Sequence, residues 1–388
     1  MARVLHLFNV FGALTERAML DYTLGLSRAG NDLTIGYETK ALDAPPVAFP
    51  LVQLRRIEVQ PVENVVEQME RVAEDINDPA MSELLSGLGS AQPDAARHAF
   101  DLVHGHFGPR ILQGAGWVKR GVPMIVSVYG YDVGRLLRDP NWVERYRWAA
   151  GQGVTFVALA KFMEQNLLGL GLPRERVRRI HLGIDLTEHA FEPGPAPTRP
   201  RFVFIGRFVE KKGTTILLDA MARLKSDARL DLIGGGPEDA ALRDQVMRLG
   251  IQDRINFVGV VPFAKLFHYL HGCTAMVQPS VVASDGDAEG APMVLMTAQA
   301  SGVPCITTRH SGNPETIPPI GQRFVVHERD AEALARAMEE MIALSSRSRE
   351  QLQREGRGWI ERHFNLDGTV SEYGKLYREV LGGSPAPE

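Results

Sequence analysis

The sequence predicts an α/β fold made of two doubly wound parallel sheets in series. Three observations carry that prediction. Residues 1–37 run as an apolar strand, a loop, an amphipathic helix and a second strand, which is how a parallel sheet opens. The same alternation restarts at Arg201, after a stretch from Phe191 to Pro200 that holds four prolines and reads as a linker. Finally, 388 residues with 44% apolar and 23% charged content suit two ordinary globular domains better than one.

Taken in order, Arg3–Val10 is the first strand, a loop with Gly12 follows, and a helix runs from about Thr15 to Arg28 until Gly30 stops it. Leu33–Tyr37 is the second strand. The turn after the first strand lacks a GxGxxG pattern, which argues against a dinucleotide oxidoreductase. Residues 41–100 carry loop formers at Pro45, Pro46 and Pro50 and breakers from Gly87 to Pro93, with helical spacing over Val62–Ile76, and read as an outer segment. Strands are expected at Phe100–Gly108, Met124–Val128, Val154–Leu159 and Val177–His181, with a helix at Lys161–Leu170. In the second half they are expected at Arg201–Ile205, Leu230–Ile233, Ile255–Val258, Ala275–Gln278, Cys305–Thr308 and Phe324–Val326. Helices are expected at Thr214–Lys225 and Leu266–Leu270, and three more over about 330–343, 347–363 and 367–381.

Composition removes several classes. A net charge of −4 gives no footprint for nucleic acid. No run approaches the roughly 20 apolar residues of a membrane span, and Val4–Val10 reads as a strand rather than a secretory signal. Cys273 and Cys305 lie in apolar runs and read as buried thiols of a reducing compartment. The expectation is a cytoplasmic protein.

The chemistry concentrates in the stretch Pro279–Pro304. Ser284, Asp285, Gly286 and Asp287 form a turn, Pro292 suits the first position of a helix, and Gly302 before Pro304 ends it. The start of such a helix offers free N–H groups and a positive dipole end, which suit phosphate. Upstream, Gly206-Arg207 and Lys211-Lys212-Gly213 place cations on a loop that also enters a helix. His104 and His106 are two apart on a strand and so share a face. They read as a metal pair lacking a third ligand nearby, or as structural histidines. Asp285-Gly286-Asp287 is a D-x-D triplet that reads as a metal-binding turn or as an ordinary acidic turn, the latter being favoured.

The order Glu289-Gly290-x-Pro292-x-Val294-x-x-Thr297-Ala298-x-Ala300-x-Gly302-x-Pro304 resembles the donor-site signature of retaining glycosyltransferases of family 4. Gly206 to Gly213, Gly234 to Pro237, Asp101 to Phe107 and His181 to Asp185 resemble further segments of that family. The resemblance implies the GT-B fold: two Rossmann-like domains facing a cleft, here residues 1–190 and 191–363, with a final helix in 364–388 crossing back to the first. It implies transfer of a sugar from a nucleoside-diphosphate donor, UDP- or GDP-linked, to a saccharide or lipid-linked acceptor. The wording from Ser284 to Gly290 looks like the bacterial exopolysaccharide branch.

By the same resemblance Arg207, Lys212, Glu289 and His106 carry the catalysis, the last from the first domain. The donor is expected at Gly12, Gly206, Phe257, Val258, Gly290, Ala291, Pro292, Met293, Val294 and Thr297. The acceptor side is expected at Tyr129, Gly130 and Asp132, where the family often has His in place of Tyr129. No resident cofactor or metal is expected, because Arg207 and Lys212 fill the cation role. Seven Lys or Arg against three Asp or Glu between Arg110 and Arg147 suit contact with an anionic membrane face or with solvent. Thr297 stands where the family has a glutamate for the ribose, so weaker nucleotide binding is expected. Thr297 and Tyr129 also leave two other classes open: a catalytically reduced nucleotide-binding protein and an enzyme with an unusual donor.

Overall fold

Seven strands build the first sheet: β1 (Arg3–Phe11), β2 (Asp32–Lys40), β3 (Leu51–Gln53), β4 (Leu102–His106), β5 (Met124–Val128), β6 (Thr155–Ala158) and β7 (Val177–Arg179). They lie in the order β3-β2-β1-β4-β5-β6-β7, every pairing parallel. The computed structural model describes residues 1–12, 17–42, 44–54, 57, 64–74 and 99–382. The expected helix ends at Thr15, Val62 and Ile76 and the breakers from Gly87 to Pro93 lie outside the described residues. Helices α1 (Arg17–Arg28), α2 (Val65–Glu74), α3 (Arg110–Lys119), α4 (Pro140–Gly151) and α5 (Lys161–Gly169) accompany this sheet. The strands read as near-continuous apolar runs because a parallel sheet is covered on both faces; all five residues of β4 and of β5 are buried.

A second unit, Ile184–Asn365, holds β8 (Arg201–Ile205), β9 (Arg229–Ile233), β10 (Ile255–Gly259), β11 (Ala275–Gln278), β12 (Cys305–Thr308) and β13 (Val325–Val326). Their order is β10-β9-β8-β11-β12-β13, again all parallel. Its helices are α6 (Thr214–Arg223), α7 (Asp239–Leu249), α8 (Phe263–Leu270), α9 (Met293–Ala300), α10 (Ala331–Ile342) and α11 (Ser346–His363). Alternate residues of β8 feed two cores. Phe202 and Phe204 pack with Leu217, Leu230 and Phe324, while Val203 and Ile205 pack with Met276, Leu295 and Ala298. Met296 and Ala300 enter a third cluster with Ile184, Ile360 and Phe364. Helix α9 is therefore buried nearly all round, which explains its small and apolar composition.

The last helix, α12 (Leu366–Val380), belongs to the first unit, as the GT-B expectation has it. It packs on α1 closely enough that a Cβ at Gly25 would lie 2.4 Å from Val370, and Tyr373 stacks on Tyr22 at 4.7 Å.

In each unit the chain leaves one strand in opposite directions. β1 is flanked by β2 and β4, and β8 by β9 and β11. Ligands of open parallel sheets bind outside the carboxyl ends of such strands. Those ends are Phe11-Gly12 and His106 in the first unit, and Gly206 and Pro279 in the second.

Several elements were not predicted. β3 is too short to signal itself. Helix α3 contains Gly114 and Gly116, which weaken helical propensity; at Gly114 the packing favours glycine, since a Cβ there would sit 2.4 Å from Met124 Sδ. Helix α4 does carry a readable start, with Asp139 capping the Asn141 N–H and Pro140 in the first turn. Helix α7 ends at Gly250 in the left-handed region. Pro292 corrects the sequence reading by one position. It precedes the helix with an extended ψ of 103°, and α9 begins at Met293.

Candidate active site

In the second unit the site is assembled from two loops that leave neighbouring strands. After β8, Gly206 leads through Arg207 to a short turn at Glu210–Lys212 and into α6. Gly213 has φ 66°, and a Cβ there would lie 2.0 Å from the Pro279 carbonyl, so glycine lets this loop press against the loop after β11. The two loops are then tied repeatedly. Val281 N–H donates to the Lys211 carbonyl at 2.9 Å, and the Ser284 hydroxyl donates to Glu210 at 2.6 Å. Lys211 Nζ pairs with Asp287 at 3.0 Å, and Lys212 Nζ pairs with Glu289 Oε1 at 2.7 Å.

Glu289 is buried. Burial alone would push its carboxyl pKa up, but the Lys212 and Lys211 ammonium groups outweigh that and hold it below the usual carboxylate value. Its backbone N–H donates to His310 Nε2 at 2.9 Å, and its carbonyl accepts from Ser311 Oγ at 2.5 Å. Gly290, Ala291 and Pro292 then lead to α9, with Met293 and Val294 in the first turn, where N–H groups lack helical partners. Thr297 is buried within α9. Arg207 is exposed and makes no ion pair among the described residues. The turn Gly234–Pro237 backs this loop: Cβ atoms at Gly234 and Gly236 would lie 1.9 Å from Gly206 O and 2.5 Å from Phe208 O. Phe257 packs edge-on to Phe208 and beneath the Arg243 guanidinium, while Val258 packs on the opposite core.

In the first unit, Gly12 ends β1 with φ 80°, and a Cβ there would lie 2.3 Å from Ala44 Cβ. His106 ends β4 and is fully buried. Its Nε2 meets His6 Nδ1 at 3.0 Å, and its Nδ1 meets the hydroxyls of Tyr22 at 3.0 Å and Tyr129 at 2.9 Å. Both ring nitrogens are thus engaged inside the unit. His104 meets Tyr377 at 2.7 Å and Ser127 at 2.8 Å, in keeping with a core histidine. Burial, and then the neighbouring rings, push His104 and His106 well below the ordinary histidine pKa, and burial takes His6 to about 3. The same burial raises Tyr22 and Tyr129, so the whole network is neutral. Asp132 organises the turn after β5 by accepting from the N–H groups of Tyr129 at 2.7 Å, Gly130 at 3.1 Å and Gly108 at 3.0 Å. Its carboxylate is spent on backbone, and burial raises its pKa to about 6.

His6 supplies the third histidine that the spacing of His104 and His106 could not reveal. It comes from β1, whose register sets it beside His104. Ligand atoms of the three lie within 4.8 Å of one another. The rings, however, stack at 4.7 Å and 20° (His104 on His106) and at 5.3 Å and 22° (His6 on His106). The ring nitrogens are already committed to one another and to hydroxyls: His6 Nδ1 to His106 Nε2 at 3.0 Å, His106 Nδ1 to Tyr22 and Tyr129, and His104 to Tyr377 and Ser127. The arrangement fits a hydrogen-bonded network.

Sequence reasoning also missed His310, Ser311, Glu328, Tyr22, Tyr373 and Tyr377. Each acts across more than a dozen residues of sequence, and only strand order brings it home.

Two parallel α/β units with switch-point sites, one holding a buried carboxylate against a lysine, are the architecture of a GT-B glycosyltransferase. The solved structures agree on the fold. HepE from Anabaena, crystallised with UDP, superposes with a TM-score of 0.74 at 15% identity, over 97% of this chain and 100% of that one. Sucrose-phosphate synthase from Thermosynechococcus elongatus gives 0.71 at 20% identity, over 98% and 100%. The family model "Glycosyltransferase Family 4" matches residues 16–188, and "Glycosyl transferases group 1" matches 185–359. The chain belongs to these group 1, family 4 glycosyltransferases. Among named relatives, the putative colanic acid biosynthesis glycosyltransferase WcaL of Escherichia coli is 28% identical over 72% of this chain and 71% of its own length. The amylovoran biosynthesis glycosyltransferase AmsK of Erwinia amylovora is 28% identical over 54% and 53%. Among the described residues, no helix is long and apolar enough to cross a membrane.

Proposed function

We propose that this glycosyltransferase moves a sugar from a UDP- or GDP-linked donor to a saccharide or lipid-linked saccharide during bacterial polysaccharide assembly, with retention of anomeric configuration. The relatives' roles in colanic acid and amylovoran biosynthesis support the acceptor class. The crystals of HepE with UDP and with UDP-glucose support the donor class. A lipid-linked acceptor would put the reaction at the cytoplasmic face of a membrane.

The observation that carries the reading is the buried Lys212–Glu289 pair at the switch point of the second sheet. Breaking the sugar C1–O bond leaves positive charge on the ring and negative charge on the departing diphosphate. Arg207, Lys212 and the N–H groups near Gly290, Ala291 and Met293 suit the diphosphate, Arg as a fork and Lys as a point charge. Glu289 stays ionised and suits the sugar hydroxyls and the ring charge. Loss of one such preorganised donor typically costs 10²–10³ in rate, about 3–4 kcal/mol. Tyr129 is assigned to the acceptor side and His106 to the catalytic group beside the transferred sugar. No enzymic nucleophile is assigned.

Calorimetric titration with UDP, GDP, ADP and TDP, paired with hydrolysis of the matching hexose donors, tests this. Binding of one diphosphate and hydrolysis of its donor is expected. Binding without turnover of any donor would favour a catalytically reduced protein, the reading that Thr297 in the ribose position invites, and no binding would refute the donor class.

A further inference from the structure

We propose that His310, held in one tautomer by Glu328, is a positioning residue that fixes the backbone of Glu289 for sugar transfer. The inference rests on the assignment of Glu289 to the donor site.

The hydrogen bonds determine the protonation. A backbone N–H can only donate, so His310 Nε2, at 2.9 Å from Glu289 N, is an unprotonated acceptor. The ring proton then sits on Nδ1, which donates to Glu328 Oε1 at 2.7 Å. Glu328 is itself fixed, since its other oxygen accepts from the Val282 N–H at 3.0 Å. Burial pushes the Glu328 carboxyl up, but the His310 and Val282 hydrogen bonds and Arg329 outweigh it and keep it below the usual value, so it remains an acceptor. The imidazole is buried, so water does not substitute for these partners. A carboxylate beyond a histidine that grips a functional group is a common way of fixing a ring's tautomer and angle.

The other side of the same peptide is held too. Ser311 Oγ donates to the Glu289 carbonyl at 2.5 Å. Ser311 adopts φ 44°, a left-handed conformation that is uncommon outside glycine. Arg329, with φ 59°, donates to the Val282 carbonyl at 2.6 Å. Two strained residues and a histidine–carboxylate pair therefore grip the loop at its start and at Glu289. Such strain concentrates where geometry matters for function. The Glu289 side chain meets Lys212, so a shift of this backbone moves the carboxylate relative to both cation and sugar.

The test uses two substitutions that separate the two ring nitrogens. His310→Asn keeps an amide near Nδ1 for Glu328 but removes the acceptor for Glu289. His310→Gln can place a carbonyl oxygen near Nε2. His310→Asn is expected to lower kcat roughly tenfold to a hundredfold, the scale of a misplaced reacting group, with donor KM within about twofold. His310→Gln is expected to restore most of kcat. Combined with Glu289→Gln, His310→Asn should add little further loss, because both act through one carboxylate. Hydrogen exchange at the Glu289 amide needs no donor and should be fast in His310→Asn and slow in His310→Gln. Equal activities and equal exchange in the two variants, or full multiplication of the losses with Glu289→Gln, would overturn the proposal. Full turnover by Glu289→Gln alone would instead remove the assignment on which it rests, while the exchange result still decides whether the clamp exists. If His310→Asn does not fold, Ser311→Ala is judged by the same kcat, KM and double-variant criteria.

Discussion

Replacing Lys212 with Met would remove the cation from Glu289 and leave the carboxylate buried. The pair spans 2.7 Å, with side-chain exposures of 14% and 10%. At 4 Å and an effective dielectric constant of about 20, two unit charges attract by about 4 kcal/mol, and removing one partner of a buried pair typically destabilises by about 3–5 kcal/mol. Lys211 still lowers the Glu289 pKa in the variant, which favours the lower end, about 3 kcal/mol. For a unit the size of Ile184–Asn365, that is a fall in Tm of roughly 6–12 °C. The pH dependence has a definite sign. In the parent, the folded pKa of Glu289 is lowered, so its contribution is present above the unfolded carboxylate pKa and fades as pH falls through the folded one. In Lys212→Met burial dominates, the folded pKa rises, and the contribution fades as pH increases. The deficit should therefore be widest at neutral pH and narrow towards pH 4. Thermal unfolding of both proteins across that range, followed calorimetrically, measures it. A constant deficit, or none, would refute the buried pair.

Two further outcomes follow from the same loops. Thr297→Glu should tighten binding of the preferred nucleoside diphosphate by roughly tenfold, through charge-assisted bonds to the ribose. It should lower stability by about 1–3 kcal/mol because α9 is packed all round. Equal or weaker binding by calorimetry would mean that the pocket is rebuilt around threonine. Asp287→Ala should leave turnover intact in the presence and absence of EDTA, at a stability cost of about 1–3 kcal/mol because the Lys211 pair is largely buried. Mn²⁺-dependent turnover abolished by this substitution would restore the D-x-D reading.

Local signals exposed much of the fold. Strands such as Met124–Val128 and Ala275–Gln278 were legible as short apolar runs bounded by breakers, because both faces of a parallel sheet are covered. Helix α3 was not, since Gly114 and Gly116 weaken its helical propensity, and Met124, which presses on Gly114, lies on the neighbouring strand β5. The site divides in the same way. Arg207 and Lys212 stood out through their spacing beside glycines at a helix start, and Glu289 through the resemblance of its segment to the family 4 signature. His6, Tyr22 and Tyr377, which enclose the histidines, and His310 and Glu328, which hold Glu289, are scattered through the chain and converge only through strand order and register. Asp132 had the right spacing but a different duty, since three backbone N–H groups occupy its carboxylate.

Hydrogen exchange on the full chain, with and without saturating nucleoside diphosphate, tests the location of the donor site most directly. Protection is predicted in the segments 206–214 and 289–297, where the two loops after β8 and β11 converge. Binding demonstrated by calorimetry but accompanied by protection elsewhere, with both segments unchanged, would contradict the account.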